Sequence, residues 1–443
     1  MKMNDKKKSD SFVSVRSFIT ALVIIGILMV LCYLATIFIP CDGIPFWKWL
    51  LSPVLVLGSD DKITLIGVII FLLVIGGAFQ ALTDCGIMRY MVDKIANKYG
   101  SSKYKLMAVI MLFFMALGSL IGSFEEVVPM VPIVTALALR LGWDALTGVT
   151  MSLLAVGCGF AAGVFNPFTV GVAQDLAGLP MFSGAWFRAI GFVCIYILLY
   201  FFTRKHAMKI DRGVSADDTE SFIRDGKKEK GVTIFAIIIL CGIVILLSTA
   251  FITVLRDYSF VIVSLMFLAA GIISCLVSGM GGKNFRKSFF KGLTSMLPAV
   301  VMILMASSIK YTLQTAGVLD VIIAKAIEIA SVLPRWAIIL FIYLFVLIMN
   351  FFIASGSAKA IMLTPLLVPL AEPFGISAQL VIVAYAFGDG FSNAFYPTNP
   401  ALLISLGLAD TSYSDWFKHS GKFQFANLIL TSLLLLLGLA IGI

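Results

Sequence analysis

"GSFEEVVPMVP", residues Gly122–Pro132, places two adjacent carboxylates inside sequence that is otherwise apolar. The preceding stretch, LMAVIMLFFMALGSLI, carries no charge, and no charge follows until Arg140. A charged side chain in the bilayer interior costs roughly 2.5–3.5 kcal/mol on insertion scales, so such residues persist where they face water, a partner or a solute. Glu125 and Glu126 therefore predict the tip of a hairpin that lines a polar site at membrane depth. The alternative is an ordinary pair of helices whose tip emerges into water.

The composition of the whole chain is that of a membrane protein. Of its 443 residues, 60% are hydrophobic and only 13% are charged, whereas soluble domains carry about 25% charged residues. Apolar runs long enough to span a bilayer recur along its length. These features predict an all-α polytopic membrane protein in a lipid bilayer. The net charge of +9 then belongs to loops that face cytoplasm and anionic lipid, and no nucleic-acid partner is expected.

Cysteine and histidine give no sign of a catalytic or metal centre. The seven cysteines include no CxxC pair, and the chain has two histidines. The sequence therefore predicts that the protein is not an enzyme and holds no metal or cofactor. It also lacks the GxxxxGK[ST] motif of ATP-binding loops, so any energy source would be an ion or a counter-substrate.

The apolar runs and the hydrophilic segments between them predict the organisation of the chain. The predicted units are, in order, a cytoplasmic N-terminus (1–17), a first transmembrane repeat (18–203) with a hairpin at 105–142 and a broken helix at 145–180, a cytoplasmic linker (204–231), an extra span (232–258), and a second repeat (259–443) with a hairpin at 336–374 and a broken helix at 377–410. Lys and Arg cluster in the segments that this layout places inside. The protein is thus expected in the plasma (inner) membrane with its N-terminus in the cytoplasm.

The two halves resemble each other when one is shifted along the other. A shift of 233 positions pairs helix-breaking residues, and a shift of 231 pairs an earlier turn. The pairs are Pro132 with Pro365, Gly142 with Gly375, Asn166-Pro167 with Asn399-Pro400, and Gly86 with Gly317. The predicted layout has about nine transmembrane helices, two re-entrant hairpins and two Pro-broken helices. With this number of membrane crossings, the two repeats have opposite orientations in the membrane, so they are inverted. Inverted repeats of this kind are typical of secondary transporters.

The second hairpin tip carries charge at the position equivalent to the first. Under the shift, Glu125 and Glu126 meet Ala358 and Lys359 in "NFFIASGSAKAIMLTP". Small residues that let the backbone turn stand beside both charges, namely Ser123 in the first tip, and Ser355 and Ser357 in the second. Irregular backbone at membrane depth is tolerated where it lines a cavity. Asn350, just before the second tip, is a further candidate lining residue.

The two broken helices are the second candidate for binding chemistry. "GCGFAAGVFNPFTVGVAQ" begins at Gly157, and "GDGFSNAFYPTNPALLIS" begins at Gly388. Proline interrupts the helical ladder, and two half-helix ends at mid-membrane can hold ions or charged groups. Asn166 is the polar residue of the first break. The second break is more polar, with Asp389, Ser392, Asn393, Thr398 and Asn399. The alternative is a proline kink packed by glycines.

The motifs SFEEVVPMVPI, GFAAGVFNPFTVGVAQ and GLPMFSGAWFR resemble the YfcC-type branch of the anaerobic C4-dicarboxylate carrier (DcuC) family, in the ion transporter superfamily. The likeness covers about residues 60–440. It implies an inverted-repeat transporter with a scaffold and a moving domain that works by an elevator motion, and it leaves open a homodimer, since relatives are often dimers. The branch is associated with basic amino acid antiport and the wider family with dicarboxylates. Sodium-dependent members of the superfamily carry Ser-Asn-Thr at the tips, which this chain does not.

The leading hypothesis is a secondary active transporter, an antiporter or an ion-coupled symporter, of a small charged organic solute. Glu125, Glu126 and Asp389 suit a cationic group, whereas Lys359 and half-helix N-termini suit a carboxylate. A basic or zwitterionic amino acid satisfies both, and a C4-dicarboxylate is the alternative. An ion channel is a less favoured class. The coupling ion, proton or sodium, stays open.

Overall fold

The computed structural model describes residues 15–59, 62–122, 124–213, 224–249 and 259–443. Regular structure in these ranges is helical, with no β-strand. Seven helical segments in them are long and apolar enough to cross a membrane, and two shorter apolar helices accompany them. The chain is therefore an all-α polytopic membrane protein, as predicted. The candidate Ser123 lies outside the described residues, as do parts of the predicted N-terminus (1–17), linker (204–231) and extra span (232–258).

Apolar residues of high helix propensity form the helices, and glycine or proline ends most of them. Up to residue 213 the helices are α1 (Val15–Phe38), α2 (Phe46–Leu50), α3 (Ser52–Leu55), α4 (Lys62–Asp84), α5 (Ile87–Tyr99), α6 (Lys103–Ile121), α7 (Val131–Arg140), α8 (Ala145–Val149), α9 (Ala155–Ala162), α10 (Val172–Leu176) and α11 (Ala185–Ile210). From residue 224 they are α12 (Gly226–Thr249), α13 (Ser259–Val277), α14 (Gly282–Ser295), α15 (Leu297–Thr315), α16 (Val318–Ala330), α17 (Arg335–Phe352), α18 (Gly356–Ala371), α19 (Ala378–Gly390), α20 (Pro400–Leu408) and α21 (Tyr413–Ile441).

The helices pack in two groups that contact each other at α20 and also where α4 meets the 3₁₀ turn 125–130. In the first group α4 packs against α13 and α14, α13 packs against α12, and α15 packs against α1 and α3. In the second group α6 packs against α9, α17 against α19, and α9 against α19, with α11 and α21 on the outside. Helix α20 contacts α1 and α15 of the first group and the 3₁₀ turn 125–130 of the second. Both hairpin tips and both helix breaks belong to the second group.

Glycines bring the backbones of the second group into direct contact. A Cβ built on Gly118 of α6 would lie 2.1 Å from the Val156 carbonyl oxygen, and one on Gly159 of α9 would lie 1.9 Å from the Met115 carbonyl oxygen. A Cβ on Gly390 of α19 would lie 2.1 Å from Cα of Ala161. Small residues at such crossings are typical of membrane helix packing. They hold α6, α9 and α19 close enough for their ends to form one site.

The residues paired by the internal repeat adopt matching local geometry. Gly86 and Gly317 both take the left-handed conformation, with φ of 77° and 75°, and each precedes a 13-residue helix. Gly142 and Gly375 also share it, with φ of 87° and 69°. These are conformations that glycine adopts without strain. The shift inferred from the sequence thus matches pairs of turns with the same backbone role.

Candidate functional site

The site is built around Asp389 at the C-terminal end of α19. Glycines on both sides allow this turn to approach its neighbours: a Cβ on Gly388 would lie 2.8 Å from the Tyr343 carbonyl oxygen of α17, and Gly390 contacts α9 as described above. Asp389 is consequently fully buried. A carboxylate in such a place requires a cation or several hydrogen-bond donors, because burying an isolated charge is very costly.

Lys359 supplies that cation from the first turn of α18. Its Nζ lies 2.5 Å from Asp389 Oδ1, and both side chains are fully buried. The same ammonium group donates a hydrogen bond to Asn350 Oδ1 of α17. The pair joins the second hairpin tip to the second helix break. Removing one partner of such a pair leaves the other as an uncompensated buried charge.

Asn350 connects the ion pair to the rest of the second break. Its Nδ2 lies 2.9 Å from the Asp389 carbonyl oxygen, 2.6 Å from Ser392 Oγ and 3.1 Å from Asn393 Oδ1. Asn399 donates from Nδ2 to Asn393 Oδ1 at 3.2 Å, and its own Oδ1 caps α20 by accepting from the Ala401 amide at 2.9 Å. Buried polar networks of this kind rigidify a site when their members are satisfied.

Gly356, at the second hairpin tip, lies between the two breaks. A Cβ on it would lie 2.7 Å from Asp389 Oδ2 and 2.5 Å from Cγ2 of Thr169, which follows the first break. The Tyr385 hydroxyl of α19 donates to the Gly356 carbonyl oxygen. Within the described ranges, neither Asp389 Oδ2 nor Thr169 Oγ1 has a hydrogen-bond partner. The tip thus covers two buried polar atoms for which the described residues supply no hydrogen-bond partner, whereas buried polar atoms are normally hydrogen-bonded.

The first hairpin tip reaches the same place from the other side. Glu125 and Glu126 open the 3₁₀ turn 125–130 and are half-buried. The Glu125 carboxylate is close enough to Asp389 for their charges to repel each other. Phe124, just before them, is buried, with Cε2 lying 3.4 Å from a Cβ built on Gly157. Glu125 of the first half and Asp389 of the second half therefore lie near each other, beside α9 and α19.

The first helix break is held by hydrogen bonds rather than by an ion pair. Asn166 Oδ1 caps the following turn by accepting from the amides of Phe168 and Thr169 at 3.0 and 3.2 Å. Arg188 of α11 is fully buried and donates to the carbonyl oxygens of Gly163 at 3.0 Å and Val164 at 3.1 Å. Its guanidinium thus replaces the helical hydrogen bonds that the break removes.

Most of the predicted site residues lie close together in the structure, but their contacts differ. Those in or beside the network are Glu125, Lys359, Asp389, Ser392, Asn393 and Asn399. Ser355 is exposed and caps α18, with Oγ 3.4 Å from the Ala358 amide nitrogen. Ser357 is half-buried, and Thr398 is buried with no partner for Oγ1 among the described residues. Asn166 packs against the first tip, since a Cβ on Gly122 would lie 2.1 Å from its Oδ1.

Sequence reasoning missed three residues of the site. They are Arg188 of α11, Tyr385 of α19, and Thr169, which follows the first break. The signal for Arg188 was present: it is a lone cation three residues into the apolar run of α11. Lone intramembrane charges are by default functional candidates.

A bundle of apolar helices with two broken helices and two charged tips at their crossing defines a class, that of α-helical membrane transporters. Residues 55–440 match the family described as C4-dicarboxylate anaerobic carrier, DcuC. The chain belongs to this family.

Individual relatives agree with that assignment. The chain is 29% identical over 378 residues, 80% of this chain and 74% of the relative, to "Putative basic amino acid antiporter YfcC" of Escherichia coli (strain K12). It is 24% identical over 397 residues, 85% of this chain and 76% of the relative, to an uncharacterized protein of Haemophilus influenzae.

Two solved structures are also similar. The YdaH transporter of Alcanivorax borkumensis aligns with 96% of this chain and 98% of its own, at 16% identity and a TM-score of 0.49. MtrF of Neisseria gonorrhoeae, described as one of a class of antimetabolite efflux pumps, aligns with 94% of each chain at 15% identity and a TM-score of 0.45.

Proposed function

We propose that the protein is a secondary active transporter of a basic or zwitterionic amino acid, working as an antiporter. One observation carries the proposal: the carboxylates of Glu125 and Asp389 lie close enough to repel each other, and the ammonium group beside them, Lys359, is already paired with Asp389. Such a region attracts a cationic group and repels a second carboxylate. The name of the Escherichia coli relative, which describes a basic amino acid antiporter, supports the same substrate class.

In this proposal the solute's side-chain cation approaches Glu125 and the free Oδ2 of Asp389. Its α-carboxylate lies towards Lys359 and the amino end of α18, where the helix dipole favours negative charge. Polar atoms without partners, Asp389 Oδ2 and Thr169 Oγ1 among the described residues, would be satisfied by the solute. The coupling ion is either a proton or sodium, and the transport assay described below assigns it.

A C4-dicarboxylate is the second candidate, because the family is described by that substrate. Lys359 is the residue that favours it, as an ammonium group at a hairpin tip suits a carboxylate. Two carboxylates would then have to lie beside Glu125 and Asp389. This requires either that Lys359 leaves Asp389 or that the acidic residues are protonated.

Counterflow in proteoliposomes tests the proposal. Vesicles loaded with unlabelled arginine, and others loaded with unlabelled succinate, are given the matching labelled solute. We expect accumulation with arginine, lost at least tenfold in Glu125→Gln, because the amide removes a charge that binds the cation. Glu328→Gln is the matched control, since Glu328 is exposed and pairs with Lys325, three residues before it on the surface of α16. Accumulation with succinate and not arginine would overturn the substrate assignment, and repeating the assay with and without sodium, and across pH, assigns the ion.

A further inference from the structure

Two cysteine thiols lie in contact, on elements that carry none of the candidate-site residues. Cys85 occupies the turn between α4 and α5, and Cys275 lies near the end of α13. The Cys275 thiol donates a hydrogen bond to Cys85 Sγ, with 3.1 Å between the sulfurs. None of the seven cysteines, all of which lie in the described ranges, forms a disulfide in this structure. The residues are 190 positions apart, so the fold and not the local sequence brings them together.

The two thiols differ in exposure and in chemistry. Cys85 is half-buried, whereas Cys275 is fully buried. The hydrogen bond from Cys275 lowers the pKa of the Cys85 thiol, and this outweighs burial and the adjacent Asp84 carboxylate, which raise it. Lys228 lies over the same turn, with Nζ 3.6 Å from a Cβ built on Gly86, and its charge is shared with Asp225, 3.9 Å away. An accessible thiol of low pKa beside a second thiol is the arrangement of redox-sensing cysteines.

We propose that Cys85 and Cys275 are a redox-active dithiol, oxidised to a disulfide by a peroxide. The Cys85 thiolate attacks one oxygen of hydrogen peroxide, breaking the O–O bond and giving a sulfenic acid and hydroxide. The Cys275 sulfur then attacks the Cys85 sulfur, forming the S–S bond and expelling the second oxygen as hydroxide. The two thiol protons combine with the two hydroxides as water, so two thiols and one peroxide give one disulfide and two waters.

The packing of α4 and α13 allows this bond to form without rearrangement of the helices. A disulfide places its sulfurs about 2.05 Å apart, so the two atoms approach each other by about 1 Å. The helices are already in close contact one turn and more away from the thiols. There, a Cβ on Gly271 would lie 3.1 Å from Cβ of Ala78. Rotation of the two cysteine side chains therefore provides most of the movement required.

The disulfide would restrain a turn that leads to the first hairpin. Gly86, with φ of 77°, starts α5. From α5, Asp93 accepts a hydrogen bond from Arg140 at the end of α7, at 3.0 Å, and Lys94 pairs with Glu229 of α12, at 3.0 Å. Helix α5 thus links the hairpin to the first helix group. The equivalent turn before α16 has Ala316 in place of Cys85 under the 231-residue shift, so only one of the two turns carries the thiol.

The test uses the purified full chain with hydrogen peroxide, followed by alkylation, digestion and mass spectrometry. We expect a linked peptide containing Cys85 and Cys275, about 2 Da lighter than the two reduced peptides and reversed by dithiothreitol. In Cys275→Ser, a sulfenic acid trapped by dimedone should appear on Cys85. In Cys85→Ser, no adduct should appear on Cys275. Cys241→Ser is the control, since Cys241 is exposed and lies elsewhere.

Transport provides the second readout. Oxidation should slow counterflow severalfold in the parent and in Cys241→Ser, and leave Cys275→Ser unchanged. Free alkylation of both thiols after peroxide would overturn the proposal, as would oxidation of Cys241 at the same rate. A disulfide that leaves the rate unchanged would overturn the restraint on the turn. Because mass spectrometry does not depend on the solute, failure of the transport assignment would be visible separately.

Discussion

The two helix breaks begin alike and are completed differently. In both, an Asn-Pro pair starts the outgoing half-helix, and the asparagine Oδ1 accepts from backbone amides: Asn166 from Phe168 at 3.0 Å, and Asn399 from Ala401 at 2.9 Å. The incoming half-helix ends in carbonyl oxygens that have lost their helical partners. What binds these oxygens is the difference between the two breaks.

At the first break a cation of the protein binds them, because Arg188 donates to Gly163 and Val164. At the second break three neutral side chains of α21 do so. They are Gln424 to the Phe391 oxygen at 3.1 Å, Trp416 to Ala394 at 2.8 Å and Tyr413 to Phe395 at 3.0 Å. Exposed carbonyls at such breaks can hold a cation. At the first break a cation of the protein binds the carbonyl oxygens, whereas at the second the charge lies on the Lys359–Asp389 pair.

The largest expected effect comes from breaking that pair. Lys359→Met leaves Asp389 buried without its cation, which should destabilise the protein by about 3–5 kcal/mol and abolish counterflow. The double variant Lys359→Met/Asp389→Asn should regain most of the stability without the transport. Thermal unfolding of the detergent-solubilised protein measures the stability of each variant, and counterflow measures its transport. Lys325→Met, at an exposed pair, is the control. A Lys359→Met variant as stable as this control would contradict the buried ion pair between Lys359 and Asp389.

The next largest effect comes from removing the side chains that donate hydrogen bonds to the carbonyl oxygens of the two breaks, one of them charged and the other neutral. Arg188→Met removes charge-assisted bonds to Gly163, Val164 and Ser183 and should cost about 3 kcal/mol of unfolding free energy. Trp416→Phe removes a single neutral bond and should cost about 1 kcal/mol. Both are measured by thermal unfolding. Equal costs would mean that the guanidinium charge adds nothing to the first break.

The asparagine caps give a smaller difference. Asn166→Ala should cost about 1 kcal/mol, the usual value for a lost N-cap. Asn399→Ala also removes the bond to Asn393 and should cost about 2 kcal/mol. We expect Asn399→Ala to slow counterflow more as well, because it disturbs the network around Asp389. The comparison fails if Asn166→Ala is the more damaging variant in both assays.

The smallest effect concerns the caps that start the two broken helices, Asp144 and Ser377, which the 233-residue shift also pairs. Burial raises the pKa of Asp144, but hydrogen bonds from His206 and Thr147 outweigh it and lower the pKa to about 2. A carboxyl whose pKa is lower in the folded protein stabilises the fold at pH values above its pKa in the unfolded chain. This stabilisation is lost as pH falls from about 4 to about 2.

Asp144→Ala should therefore cost about 1 kcal/mol at neutral pH and progressively less below pH 4. Ser377, whose Oγ accepts from the Leu380 amide at 3.1 Å, carries no charge. Ser377→Ala should cost a similar amount at every pH. Unfolding in detergent at a series of pH values measures both, and parallel curves for the two variants would refute the role of the Asp144 charge.

Much of the fold could be predicted because it depends on patterns along the chain. Apolar runs predicted membrane helices, Asn-Pro pairs predicted the two breaks, and the internal shift paired the helix-ending residues Gly142 and Gly375, which the structure shows in the same left-handed conformation. The charged tips were identified because Glu125 and Lys359 interrupt apolar sequence. These features are local, and the physical cost of each is readable from the residues themselves.

The rest depended on contacts between elements distant in the chain. Nothing local indicates that Lys359 pairs with Asp389 rather than with a solute, or that Arg188 binds carbonyls 24 and 25 residues before it. The sequence made Asn350 only a candidate lining residue, and the three hydrogen bonds that its Nδ2 donates, with the one that its Oδ1 accepts from Lys359, place it inside the network. Glycines decided these contacts, because they set how closely the helices approach.

Helix α6, whose backbone contacts α9, also provides a fixed reference distance for spectroscopy. Helix α6 is further tied to α11 by the Tyr196 hydroxyl, which donates to the Ala108 oxygen at 2.9 Å. Next to this bond, Val109 and Ile197 are exposed, at 64% and 48% of their surface, and can carry spin labels. Their separation provides a fixed reference against which a third label, at the exposed Ile237 of α12, reports displacement of one helix group relative to the other.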